Sequence, residues 1–290
     1  MNYLINLIKN IKFLCEHNLR QQREDDIVYL TNKILNDGII EYGLQLPGYN
    51  NEHVLNKFDS IRKVLQSAKS FVRLGDGEIG IMQGVDQPFQ KYDPEIQTVL
   101  LDLLKGKYPN ILVGLNNNYY TPGYLLNSPY DRRHDYDFRT FFNKYSDKNM
   151  TYIDGACTFY FPQNERSERH EEFWNLWVEA FRDKNIVIIC GDGILDKLHY
   201  DVFKNAASKE FIYGPRRHAW DCHHEIIEKI NKNVSKDKLL IFILGMAGKA
   251  MIPELSKEGY LCWDIGHLAK SYDVYMSNTT FDPVKFYAPD

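Results

Sequence analysis

Residues 239–267 read LLIFILGMAGKAMIPELSKEGYLCWDIGH. The run from Leu239 to Gly245 is the most apolar in the chain and predicts a buried strand. A helix follows over about 247–258, and Gly259 is a good stop for it. Residues 260–267 then read as a second strand. The same alternation extends back along the chain. FVRLG (71–75), ILVGL (111–115), MTYIDGA (150–156), NIVIICGDG (185–193) and EFIYG (210–214) read as strands. Helical stretches are expected from Asp93-Pro94-Glu95 through Leu104 and over 171–182, 195–206 and 219–230. This pattern predicts an α/β fold: a Rossmann-like, mostly parallel sheet with helices on both faces.

Residues 1–69 read as helical. Val54, Phe58, Ile61, Val64 and Leu65 form one apolar stripe that Asn50 or Asn51 would cap. Leu4, Ile5, Leu7, Ile8, Ile11 and Leu14 recur at helical spacing, with Lys9 and Lys12 on another side. Residues 1–50 are therefore expected to be an N-terminal helical extension, and 51–290 the main domain. The first segment is too short and too charged to cross a bilayer, and no small-residue cleavage site follows it. It reads as a helix packed on the domain or on a second copy, or as an interfacial helix at the inner face of a membrane. The polar, aromatic stretch from Asn116 to Arg133 reads as a long loop.

The chain has 290 residues, 44% of them hydrophobic, enough for a sizeable core. Its net charge of −4 and its isolated basic pairs, Arg132-Arg133 and Arg216-Arg217, argue against a nucleic-acid partner. The five cysteines show no CxxC spacing. They read as reduced thiols, partly buried, in a cytoplasmic protein.

Ligands of such sheets bind at the C-terminal ends of the strands. That rule gathers Asp76 and Glu78, Asp154, Asp192, Gly245, Asp264 and His267 onto one rim. The turn GDGE (75–78) is the most informative of these pieces. Gly75 and Gly77 make it bendable, with φ > 0 open to both. Asp76 and Glu78 suit a hard divalent cation, Mg²⁺ or Mn²⁺, held against a phosphate. The competing reading is an ordinary solvated turn. GDGI (191–194) reads as a weaker phosphate-binding turn opening a helix. Asp264 and His267 read either as a satisfied buried pair or as acid–base or metal groups. GPRRHAW (214–220) places Arg216, Arg217 and His218 just before a helix, where arginines suit phosphate. LGMAGK (244–249) lacks the pattern of a P-loop.

Taken together, RLGDGE (73–78), GPRRHAW (214–220) and the stretch from Leu244 to His267 resemble the GT-D-type glycosyltransferases, bacterial enzymes of surface-glycan and adhesin glycosylation. The resemblance spans roughly residues 55–280. It implies sugar transfer from a nucleotide sugar, typically UDP-linked, to a glycan or glycoprotein acceptor. Asp76 and Glu78 would then serve the metal and the diphosphate, with Arg73 and Arg216 or Arg217 adding positive charge. HYDVFKNA (199–206) resembles a family stretch that gives Asp201 an acidic position. Asp201, Asp264 and His267 are the candidates for the acid–base role, and His267 also for a metal ligand. The chain departs from the family pattern at His218, at Thr158-Phe159 and at Gly191-Asp192. A metal-dependent phosphohydrolase and a non-catalytic nucleotide-sugar-binding subunit are the alternative readings of the same rim.

Overall fold

The computed structural model describes residues 54–116, 141–142, 144–160 and 168–279. The expectations for residues 1–50, for the loop beyond Asn116 and for Arg132-Arg133 lie outside these residues. Backbone contacts divide the chain into two compact units, residues 1–52 with 118–143, and residues 53–117 with 144–290. All that follows concerns the second unit.

Seven strands form one sheet in the order β3-β2-β1-β7-β6-β4-β5. They are β1 Ser70–Leu74, β2 Ile111–Leu115, β3 Ile153–Asp154, β4 Asn185–Gly191, β5 Ser208–Gly214, β6 Leu239–Ile243 and β7 Leu261–Asp264. Every pairing is parallel. The helices are α1 Lys57–Gln66, α2 Asp76–Met82, α3 Pro94–Leu104, α4 Glu168–Ala180, α5 His223–Asn233, α6 Gly245–Lys257 and α7 Leu268–Met276. β1, β4 and β6 are buried nearly end to end, as expected of strands covered on both faces.

One face carries an aromatic core. Phe58 of α1, Phe173, Trp174 and Trp177 of α4, and Tyr272 and Tyr275 of α7 pack there with Phe71 of β1 and Trp263 of β7. Each large ring buried in this way contributes about 1.5–3 kcal/mol. On the opposite face α6 packs against β7, β1, α3 and α5. Cys157, Cys190 and Cys262 are buried free thiols.

The structure corrects the sequence reading at four points. α1 starts at Lys57, so its cap is Asn56, whose side chain accepts from Asp59 N at 3.0 Å, and not Asn50 or Asn51. The expected helix over 195–206 is a series of turns. Side chains there satisfy the amides that a helix would use: Asp273 Oδ1 accepts from His199 N and Tyr200 N, and Asp201 Oδ1 accepts from Phe203 N. The helix expected from Ala219 begins as a 3₁₀ turn over Ala219–Cys222, and α5 proper starts at His223. Finally, GDGE (75–78), which reads as a turn, opens α2: Gly75 caps the helix and Asp76 is its first residue.

Candidate functional site

The strand order reverses beside β1: the chain steps outward through β2 and β3, then returns to build β4 to β7 on the other flank. Crevices at such a reversal are where open α/β sheets take their ligands. β1 and β7 are neighbours there, paired through Phe71 and Trp263. Their ends bring Arg73 and Asp264 together.

Arg73 and Asp264 are tied by several bonds. Arg73 N donates to Asp264 Oδ2 at 3.1 Å, Nε donates to Asp264 O at 3.0 Å, and Nη2 donates to Oδ1 at 3.2 Å. Nη1 donates to Thr158 Oγ1 at 2.7 Å. The loop bearing Thr158 is held by Lys57, whose Nζ donates to the carbonyls of Ala156 and Phe159 at 2.8 and 2.7 Å. Burial opposes the charge on Arg73, but Asp264 and then Cys157 and Glu78 outweigh it and raise the guanidinium above its ordinary value. Gly266 is required by the same arginine. Its φ is +45°, and a Cβ there would lie 1.9 Å from Arg73 Nη2.

A second buried pair sits beside the first. Lys249 Nζ of α6 lies 2.5 Å from Glu78 Oε1 and 4.0 Å from Asp264 Oδ2. Glu78 Oε2 accepts from Gly75 N at 2.7 Å, which satisfies one of the amides left open at the start of α2. Arg73, Glu78, Lys249 and Asp264 are each less than a tenth exposed, two cations against two anions. Burying charges is tolerable only when they are paired in this way.

Asp76, the first residue of α2, is exposed, as are Gly245 and His267. Gly77 stands against Met246, whose Cε would be 3.4 Å from a Cβ added there. Neither Gly75 nor Gly77 has the positive φ that the sequence allowed; Gly245 does, at +57°. His267 has its imidazole pushed down to about 4, by desolvation first and then by the charges of Arg73, Lys270 and Lys249, with Asp264 opposing. It is neutral at pH 7 although its surface reaches solvent.

The three expected metal ligands therefore differ in what they offer. Both oxygens of Glu78 are engaged within the protein, and among the described residues no three His, Cys, Asp or Glu side chains converge as a ready metal site. Asp76 fits a single-carboxylate arrangement of the kind in which Mg²⁺ takes its other ligands from substrate phosphates and water.

The ends of β4 and β5 form a separate, more open part of the rim. Arg216 Nε donates to Asp192 O at 2.6 Å, and its side chain packs over Gly191 and Gly193. Arg217 lies over Phe89 at 5.8 Å. His218 is left-handed at φ 56°, and its Nδ1 accepts from Lys91 N at 3.2 Å. No helix follows GDGI, so the expected anion site at a helix start is not built there. Asp201 is displaced from the rim. It is paired with Lys209 at the start of β5, and Gly214 at the end of that strand is roughly 16 Å further along. Lys249 was missed by the sequence reading, its only signal being its place inside LGMAGK, and Thr158 entered only as part of a departure from the family pattern, with no role given to it.

An all-parallel sheet with acidic and basic groups gathered at its reversal is an α/β architecture with a candidate ligand crevice at the switch point. The family model of the glycosyltransferase GT-D fold matches residues 71–285. The chain thus belongs to the GT-D-fold glycosyltransferases. It is 25% identical over 252 residues to the probable glycosyl transferase Gly of Streptococcus gordonii, covering 83% of this chain and 36% of that protein. It is 23% identical over 234 residues to the glycosyltransferase GlyD of Streptococcus pneumoniae, covering 79% of this chain and 28% of that protein. The chain spans about a third of the length of these relatives. Among solved structures, the domain of unknown function 1792, described as having a distinct glycosyltransferase fold, matches with a TM-score of 0.72 at 24% identity, over 81% of this chain and 86% of the other. A glycosyltransferase of the same domain from Streptococcus sanguinis matches with a TM-score of 0.69 at 22% identity, over 79% of this chain and 86% of the other.

Proposed function

We propose that the chain transfers a sugar from a nucleotide sugar, UDP-linked, to a hydroxyl of a glycan or glycoprotein in surface-polysaccharide or adhesin glycosylation. The observation that carries this reading is the exposed carboxylate of Asp76 beside a buried, charge-balanced quartet at the sheet's reversal. Breaking the bond to the sugar leaves a diphosphate whose growing negative charge must be met. A divalent cation, Mn²⁺ or Mg²⁺, held by Asp76 and the donor phosphates would supply that Lewis acidity. Gly245 and the free amides at the start of α6 face the same charge, and the dipole of that helix favours an anion. Arg216 and Arg217 add positive charge from the neighbouring edge. Glu78 and Lys249 hold the first turn of α2, and with it Asp76, in one geometry. His267, neutral at pH 7, takes the proton of the attacking hydroxyl.

In this reading residues 51–290 form the catalytic unit, and residues 1–50 serve contact with the inner face of a membrane or with a second copy. Among the described residues no helix is long and apolar enough to cross a membrane.

The test is binding and hydrolysis of UDP-glucose, UDP-galactose and UDP-N-acetylglucosamine with and without Mn²⁺. Asp76→Asn is expected to lower turnover about 10²–10³-fold, the usual cost of one electrostatic contact to a transition state, with thermal unfolding unchanged. Failure to bind any nucleotide sugar would refute the proposal. Turnover of p-nitrophenyl phosphate without an acceptor would favour a phosphohydrolase.

A further inference from the structure

β5 is an edge strand of the sheet. Ile212 is buried toward α5, so the alternate residues Lys209, Phe211 and Tyr213 lie on the other face. The turns over residues 195–206 cover that face only in part: Val202 and Phe203 are buried in the core, while Phe211 and Tyr213 stay exposed. Phe211 and Tyr213 are 42% and 49% exposed, and their rings lie 5.7 Å apart at 12°, nearly parallel. Beside them is a cavity of about 180 Å³ lined by Leu198, Tyr200, Asp201, Phe203, Lys209 and Phe211. Tyr200 is itself 40% exposed. The strip therefore has a flat aromatic side and a charged edge, Asp201 paired with Lys209. At its upper end Tyr213 is in register with Cys190 and Gly214 with Gly191, the last residue of β4, so the strip runs up to the rim.

We propose that this strip is a carbohydrate subsite that holds the sugar chain of the acceptor, a reading that rests on the glycosyltransferase assignment of the rim. A pyranose presents a patch of C–H bonds on one face and hydroxyls around its edge. The C–H face stacks on a flat ring, as other apolar groups do on aromatic side chains, while the hydroxyls need donors and acceptors at the border. Phe211 and Tyr213 supply the first, and Asp201, Lys209 and the tyrosine hydroxyls the second. The cavity is smaller than the roughly 300–1,000 Å³ of whole-ligand pockets, which suits one ring of a longer chain. β5 is three strands from β7, roughly 14 Å at the usual spacing, so the strip takes sugars beyond the one that reacts. A second copy added along the β5 edge is the competing occupant. Lys209 and Glu210 on that strand are the kind of edge charges that disfavour strand addition.

The full chain and a Phe211→Ala/Tyr213→Ala double variant would be titrated with maltotriose, cellotriose and chitotriose by ligand-observed NMR, and separately with UDP. At least one trisaccharide is expected to bind the native chain. The double variant should bind it at least tenfold more weakly, with UDP affinity within twofold and thermal unfolding unchanged, because both rings are exposed. No binding of any trisaccharide to the native chain, or equal binding by the variant, would overturn the subsite. So would light scattering that finds a native dimer and a monomeric double variant, since the strip would then be a self-interface. Loss of UDP binding with trisaccharide binding intact would overturn the donor reading of the rim and leave the carbohydrate subsite standing.

Discussion

Two turns in this chain carry the same three residues, Gly-Asp-Gly, just past a parallel strand, and the protein uses them differently. At 75–78 the fourth residue is Glu78, and at 191–194 it is Ile194. Glu78 folds back onto Gly75 N and pairs with Lys249, so the first turn opens a helix and holds Asp76 at its start. Ile194 has no such acceptor. Gly193 adopts φ +68°, the chain turns away, and Arg216 fills the space above Gly191. One carboxylate three residues past a glycine separates a wired site from a surface turn.

The comparison can be broken first at its base. Asp264→Ala leaves Arg73 and Lys249 buried without their shared anion and should cost about 3–5 kcal/mol of stability by denaturant titration. A loss below 1 kcal/mol would mean that the quartet does not carry the first turn. Next comes Glu78. Glu78→Ala removes both the cap and the ion pair and should cost about 2–3 kcal/mol, the upper end for an unsatisfied buried group, because Lys249 keeps Asp264 at 4.0 Å. Glu78→Gln keeps an acceptor for Gly75 N and should recover part of that loss. Equal losses for both would assign the whole effect to Lys249.

A smaller effect belongs to His267, because its exposed surface lets water screen much of the shift. Its folded-state value is lowered from 6.5 to about 4, so the unfolded chain takes up the proton first as pH falls. Stability should decline from about pH 6.5 downward until the folded state also protonates near 4. His267→Gln should flatten that part of the curve, and parallel curves for the two proteins would contradict the shift. At the second turn Ile194 is only partly buried against the core and belongs to no charged network, so Ile194→Ala should cost less than the loss of a fully buried isoleucine, about 1 kcal/mol.

Much of the fold was readable because strands buried on both faces appear as apolar runs. ILVGL at 111–115 coincides with β2, and NIVIICG coincides with β4. The failures were places where a side chain from elsewhere in the fold decides the backbone. Asp273 is more than 70 residues from His199, yet its carboxylate takes two amides that a helix over 195–206 would have bonded internally. The placement of the candidate residues was readable in the same way. Gly75 to Glu78, Asp264 and His267 lie on one rim, as strand ends must. Asp201 does not: its acidic role came from the resemblance of HYDVFKNA (199–206) alone, and the fold pairs it with Lys209 at the start of β5.

The sequence by itself determined an alternating α/β chain, its buried strands, the acidic turn after β1 and the motifs shared with one glycosyltransferase family. These follow from local apolar periodicity and from residue types at fixed spacing. Only the tertiary structure decided which charges neutralise one another. Arg73 meets Asp264 across 191 residues and Glu78 meets Lys249 across 171, pairings fixed by the order of strands in the sheet. Those pairings leave Asp76 facing solvent while Glu78, two residues away, is bound inside, because a buried carboxylate must find a cation and an exposed one need not.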